Sequence, residues 1–299
     1  MQKYNLWGCG YMGSKCRLAD RIIAMMPKAR HFYDLCAGGS SMSHAALCKR
    51  KFQYIHTNDI NPLCVGMFSD AVDGKFANES RWISREDFFA LKSTDAYAAA
   101  CFSFGSDFQT YAYGKDIEEM KKAVHYALYF KDLTLADKVF GEGILNDILG
   151  MDSIDARYSK IREVLGDKGV LSSHTRLNRI KAIGDMHLDK SRLKTTCGSY
   201  SDVPIEEDSV LYADIPYFKT KTYADDGKHF DHEKFYEWAL SQKSPLYISS
   251  YDMPEKDFKV VAEFARQDTM SATSVKLVAE RVFMPRTQET RGNIQLSLF

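Results

Sequence analysis

The sequence predicts an α/β fold: a doubly wound sheet with helices on both faces, carrying an inserted, mostly helical domain. Three observations predict it. Short apolar runs of strand type occur near both ends of the chain, each leading into a helical pattern. A glycine pair, Gly38-Gly39, separates the first such run from the helix that follows it. The stretch from about residue 81 to 195 has helical periodicity and lacks clear buried strands.

Taken in order, Ser14–Met26 reads as a helix, apolar at Leu18, Ile22, Ile23 and Met26, with Ser14 as N-cap and Pro27 as the stop. His31–Ala37 is a strand, Gly38-Gly39 a turn, Ser40–Arg50 a helix and Phe52–Thr57 a second strand ending at Asn58-Asp59. Helices are expected at Glu86–Leu91, Ile117–Phe130, Ser153–Leu165 and Thr175–Ile183, with an aromatic, glycine-containing segment at 101–115 among them. The α/β pattern resumes with a strand at Ser209–Ala213, a helix at Tyr236–Leu240, a strand at Leu246–Ser250 and a helix at Asp257–Arg266. Terminal strands are expected at Ser274–Val278 and Arg281–Met284. The domains so drawn are 1–80 with 196–299, and an insert at 81–195.

Composition limits the partners. A hydrophobic fraction of 45% in 299 residues is ample for a core. Lys+Arg and Asp+Glu are both 40, but the charges are unevenly placed. Residues 151–200 hold ten Lys/Arg against six acids, and 201–240 ten acids against four Lys. A basic face fits a phosphate backbone and fits ordinary solvated surface equally well. The seven cysteines show no metal or disulfide spacing, which suits reduced thiols and a cytoplasmic protein. No apolar N-terminal segment or membrane-length run is present, and no metal is expected.

The chemistry gathers at four places. Asp34-Leu-Cys36-Ala37-Gly38-Gly39-Ser40-Ser41 carries a strand into a glycine turn and a helix start, where backbone can approach a ligand closely. By itself it serves equally as a structural turn. Asp59 ends the next strand twenty residues after Gly39, the usual place of an acid that holds a ribose diol. Lys15, in Tyr11-Met-Gly-Ser-Lys15, stands at a helix start where the dipole disfavours a cation, and a ligand carboxylate would reward it. Asp214-Ile215-Pro216-Tyr217 follows a buried strand at its carboxyl end, the ligand-binding end in open α/β sheets.

These four, in this order, resemble the Dam-type (D12 class) N6-adenine DNA methyltransferases, which use S-adenosylmethionine. Tyr11–Lys15 resembles the family's N-terminal motif and Asp34–Ser41 its glycine-rich cofactor motif. Asn58-Asp59-Ile60-Asn61 resembles its ribose-binding segment, and Asp214–Tyr217 its catalytic D-P-P-Y. The resemblance implies a Rossmann-like methyltransferase sheet with a target-recognition insert. It implies that Asp214, Ile215, Pro216 and Tyr217 are catalytic. It further implies cofactor contacts from Tyr11, Lys15, Asp34, Cys36, Ala37, Gly38, Gly39, Ser40, Ser41, Asp59, Ile60, Ser199, Tyr200 and Asp214. Ile215 departs from the family's usual proline, and Ser199-Tyr200 from its usual Asp-Phe pair.

The expected function is methyl transfer from S-adenosylmethionine to adenine N6 in double-stranded DNA after base flipping. Contacts to DNA are expected from Lys219, Thr220, Lys221 and Tyr223 after the catalytic turn, and from Arg157, Arg176 and Arg179 in the insert. A monomer is expected. The alternatives are a degenerate methyltransferase-fold protein that only binds DNA, and a methyltransferase acting on RNA or cytosine N4.

Overall fold

The structure is a computed structural model that describes residues 6–216, 230–268 and 276–291. These parts fall into two compact units, one drawn from residues 6–7, 15–65 and 189 onward, the other from 8–14 and 66–188.

In chain order the first elements are α1 (Ala19–Met25), β1 (Ala29–Asp34), α2 (Ser41–Cys48), β2 (Phe52–Asp59) and α3 (Pro62–Val72). Helix α1 starts later than the sequence predicts, and Ser14 is not its N-cap. Instead the amides of Leu18 and Ala19 both donate to the Lys15 carbonyl, at 2.8 and 2.9 Å. This turn precedes the helix and leaves Lys15 outside it.

The second unit is helical. It contains α4 (Arg85–Leu91), α5 (Ala96–Cys101), α6 (Glu118–Phe130), α7 (Thr134–Phe140), α8 (Ile154–Leu165) and α9 (Ser172–Gly184). Side-chain caps start three of them: Ser84 accepts from Asp87 N, Asp95 from Ala98 N and Ser153 from Ala156 N. The buried Lys121 of α6 donates to the carbonyls of Asp167, Lys168 and Val170 at 3.3, 2.8 and 2.9 Å, tying α6 to the turn after α8. The aromatic segment folds on itself through the Ser103–Tyr111 bridge.

The first unit then continues with β3 (Leu193–Cys197), β4 (Ser209–Asp214), α10 (His232–Ser241), β5 (Leu246–Ser250), β6 (Phe258–Asp268) and β7 (Lys276–Pro285). One seven-stranded sheet forms in the order β3-β2-β1-β4-β5-β7-β6. Pairing is parallel from β3 to β5, while β7 runs antiparallel to both β5 and β6. The strand order reverses between β1 and β4, so a crevice is placed beyond their carboxyl ends. This is the Rossmann-like α/β sheet that the sequence predicts.

Two elements differ from the sequence reading. The helix expected at Asp257–Arg266 is strand β6, and the two expected terminal strands are one strand, β7. A register shift between Val260 and Ala262 explains the first error. It moves the period-two pattern to the other face midway, so Phe258 and Phe264 face opposite sides and no clean alternation is legible. Strand β3 has no reading in the sequence because it is an edge strand, with exposed side chains from Lys194 to Cys197.

Candidate active site

Three acids end three adjacent strands: Asp59 on β2, Asp34 on β1 and Asp214 on β4. Asp34 is buried, and its Oδ2 accepts from Ser43 N at 3.0 Å and Ser43 Oγ at 2.7 Å. Burial pushes its carboxyl up to about 7; the Ser43 hydrogen bonds oppose this, and the charges of Asp214 and Asp59 add to it. Burial also pushes the Cys36 thiol well up, and all three carboxylates add to that. The acids therefore converge on one small volume.

The glycine turn is fastened to β2. Gly38 N donates to Asp59 Oδ2 at 2.7 Å, and Asn61 N to Asp59 Oδ1 at 2.8 Å. Burial raises the Asp59 carboxyl, against these backbone donors. Gly38 has φ +48° and Ser40 φ +56°, so the turn enters α2 through left-handed backbone. Glycine takes this at no steric cost; for serine it is strained. Asp34 Oδ1 and Ser40 Oγ are buried and have no hydrogen-bond partner among the described residues. Buried polar atoms in native proteins are normally paired, so these two suit a polar ligand at the turn.

At Asp214 the period of the strand sorts the chemistry. Asp214 pairs with Ser249 of β5, and Ser249 with Val282 of β7, so the three share one sheet face. Tyr212, two residues back, lies on the same face and its hydroxyl is 2.7 Å from Ser249 Oγ. Ile215 points the other way, 2% exposed, into a core cluster with Tyr33, Leu35, Phe235 and Met253. Lys15 Nζ donates to both Asp214 oxygens, at 2.7 and 2.8 Å, and lies 3.6 Å from Glu280 Oε1. The lysine and glutamate side chains are 2% and 0% exposed; that of Asp214 is 21% exposed.

The Lys15 partner is one that sequence reasoning missed. The reading left it for a ligand carboxylate, and the structure gives it Asp214, 199 positions away. Glu280 was missed as well; its only sequence signal is an acid inside an apolar strand.

The remaining candidates divide. Cys36 and Ala37 line the turn, half-buried, and Ser41 Oγ donates to Trp7 O at 2.9 Å. Ile60 is 79% exposed beside Asp59. Ser199 caps the short turn after β3, and Tyr200 packs edge-on against Phe235 and Trp238 at 5.1 and 5.0 Å. Burial pushes the Tyr200 phenol up to about 12. Pro216 is half-buried. Tyr11 belongs to the second unit, its ring edge-on to Phe108. In that unit Arg157 is buried, Arg176 Nη1 donates to the carbonyls of Cys101 and Ser103, and Arg179 Nε donates to Gly8 O at 2.7 Å. Arg176 and Arg179 thus tie segments of their own unit together. Tyr217, Lys219, Thr220, Lys221 and Tyr223 lie outside the described residues.

Comparison with known proteins adds the family. Residues 11–140 match the family model described as D12 class N6 adenine-specific DNA methyltransferase. Over those residues, less than half of its length, the chain is similar to that class. The match takes in the lysine motif, the glycine turn and Asp59, and ends before Asp214. The family so described acts on adenine N6 in DNA. Two solved structures of the rRNA methyltransferase aviRa from Streptomyces viridochromogenes are similar at 11% and 12% identity, with TM-scores of 0.38 and 0.37. Each alignment covers 93% of this chain and 87% of the other. Likeness at that level says nothing of target. No curated protein matches this chain. Among its described residues no helix is long and apolar enough to cross a membrane, and no group of His, Cys, Asp and Glu could hold a metal ion.

Proposed function

We propose that the chain transfers a methyl group from S-adenosylmethionine to the N6 amine of an adenine flipped out of duplex DNA. The observation that carries this is the set of three carboxylates at adjacent strand ends, with Asp214 partly open to solvent.

The residues fit such a cofactor. Asp59, held by Gly38 and Asn61, would take the ribose diol, and the exposed Ile60 would seat the purine ring beside it. The orphaned Asp34 Oδ1 and Ser40 Oγ suit its polar end, and the clustered negative charge suits a ligand bearing sulfonium and ammonium groups. When bound, S-adenosylmethionine supplies an electrophilic methyl group.

The chain's own part is to prepare the amine. Adenine N6 is a poor nucleophile because its lone pair is delocalised into the ring. Asp214 accepts one of its N–H groups, and the Ile215 carbonyl, next along the chain, accepts the other. Both acceptors draw the nitrogen toward tetrahedral geometry and aim its lone pair. The new C–N bond then replaces the C–S bond, and the nitrogen gives up one proton, for which Asp214 is the nearest base. Positioning and electrostatics supply the catalysis. Extruding the base costs a few kcal/mol, which stacking on an aromatic such as Tyr217 offsets by ~1–3 kcal/mol.

Ile215 does not favour a degenerate enzyme. Its contribution here is a carbonyl, and its buried side chain fixes the backbone that a proline ring would otherwise stiffen. We further propose that residues 81–195 recognise the target sequence. The test is to incubate the chain with tritiated S-adenosylmethionine and varied DNA, then identify the labelled base. Label on adenine N6, lost in Asp214→Ala while the cofactor still binds, is the expected result. Label elsewhere, or an active Asp214→Ala enzyme, refutes the reading.

A further inference from the structure

The mechanism leaves Glu280 without a task, although it is a fully buried acid facing the Lys15–Asp214 ion pair. Burying a carboxylate costs several kcal/mol unless a charge compensates it, so a purely structural role would be better filled by an apolar residue. Its seat is specific. Glu280 lies two residues before Val282 on β7, hence on the face shared by Val282, Ser249 and Asp214. The Lys15 ammonium stands between the two acids, on hydrogen bonds to both Asp214 oxygens and 3.6 Å from Glu280 Oε1.

That arrangement poses a conflict. A cation donating to both oxygens of Asp214 weakens them as acceptors for the substrate amine. A second carboxylate behind the lysine relieves this, because a shift of roughly 1 Å brings Nζ to hydrogen-bond length from Glu280. We propose that Glu280 is a positioning residue for methyl transfer: it draws the Lys15 ammonium aside, so that Asp214 can accept the amine's N–H. The inference rests on the reading of Asp214 as that acceptor. Glu280 itself touches neither substrate nor cofactor. The buried ion group then has two arrangements, lysine on Asp214 at rest and lysine leaning to Glu280 when the base is in place.

The test compares the full-length chain with Glu280→Gln, Glu280→Asp and Lys15→Met. Thermal unfolding, calorimetric affinity for S-adenosylmethionine and single-turnover methylation of DNA are measured for each. Glu280→Gln is expected to bind the cofactor within about twofold of the parent and to transfer methyl at least about tenfold more slowly. Glu280→Asp keeps the charge but retracts it by a methylene, and is expected to fall between. In a Lys15→Met background Glu280→Gln should add no more than about twofold, since Glu280 acts through the lysine. A folded Glu280→Gln enzyme with the parent's rate, or a loss that multiplies in full with that of Lys15→Met, overturns the proposal. If Glu280→Gln does not fold, Glu280→Asp decides: the parent's rate overturns the proposal, and a slower rate at unchanged cofactor affinity supports it. A parent chain that methylates no DNA refutes the Asp214 reading instead, and does so before any Glu280 variant is compared.

Discussion

Ile215 shows how one residue divides its labour between backbone and side chain. Its carbonyl belongs to the proposed chemistry, while its side chain lies among Tyr33, Leu35, Phe235 and Met253. From the sequence alone, Ile215→Pro is expected to leave activity equal or higher, because only a carbonyl is needed and proline stiffens the turn. The buried side chain changes that expectation. Ile215→Ala should lose about 2–5 kcal/mol of stability in urea unfolding, and Ile215→Pro should also lose stability, since it leaves part of the slot empty. A proline variant as stable as the parent would show that the slot can close. Asp34 makes a second prediction. Its folded value of about 7 lies above the unfolded 3.8, so between those limits the native chain holds more protons than the unfolded one. Stability through this group therefore falls as pH rises through that window. Asp34→Asn should flatten this dependence, as urea midpoints at pH 5 and pH 8 will show; a profile identical to the parent's excludes it.

At the scale of elements, legibility followed burial. β4 and β5 are apolar runs buried along nearly their whole length, and both were readable. So were α4, α6 and α8, with boundaries shifted by a residue, because caps and periodicity are local signals. β3 was not readable, since an edge strand needs no buried face, and β6 was misread because its bulge hides the alternation. Asp59 shows an element held from outside. Its carboxylate ties the glycine turn to β2, so Asp59→Ala should cost ~1–3 kcal/mol in urea unfolding and weaken S-adenosylmethionine binding in calorimetry. Loss of stability with unchanged affinity would leave Asp59 a purely structural role. Lys121 does similar work in the second unit. Lys121→Met leaves three carbonyls without this donor and should lower stability by a comparable amount.

For the molecule as a whole, the order of motifs along the chain was enough to suggest the family, and the match over residues 11–140 agrees. The inner geometry of the site was not legible, because Lys15 and Asp214 meet only once the sheet has formed. The same applies to charge. The sequence offered the arginines of the insert as phosphate contacts, yet Arg157 is buried and the half-buried Arg176 donates to carbonyls of its own unit. DNA affinity should still fall steeply with salt if lysines and arginines elsewhere bind phosphates. Arg176→Ala should lower the melting temperature and leave that salt slope unchanged; a shallower slope would return Arg176 to the interface. Strand β4 has a last consequence, for the lengths this sequence can tolerate. Acid and isoleucine are neighbours on opposite sides of a pleat, so losing one residue from the strand would exchange them. The carboxylate would sink among aromatic rings and the aliphatic side chain would rise into the place proposed for the base. Insertions and deletions should therefore survive in the connection before Ser209 and nowhere between it and Asp214.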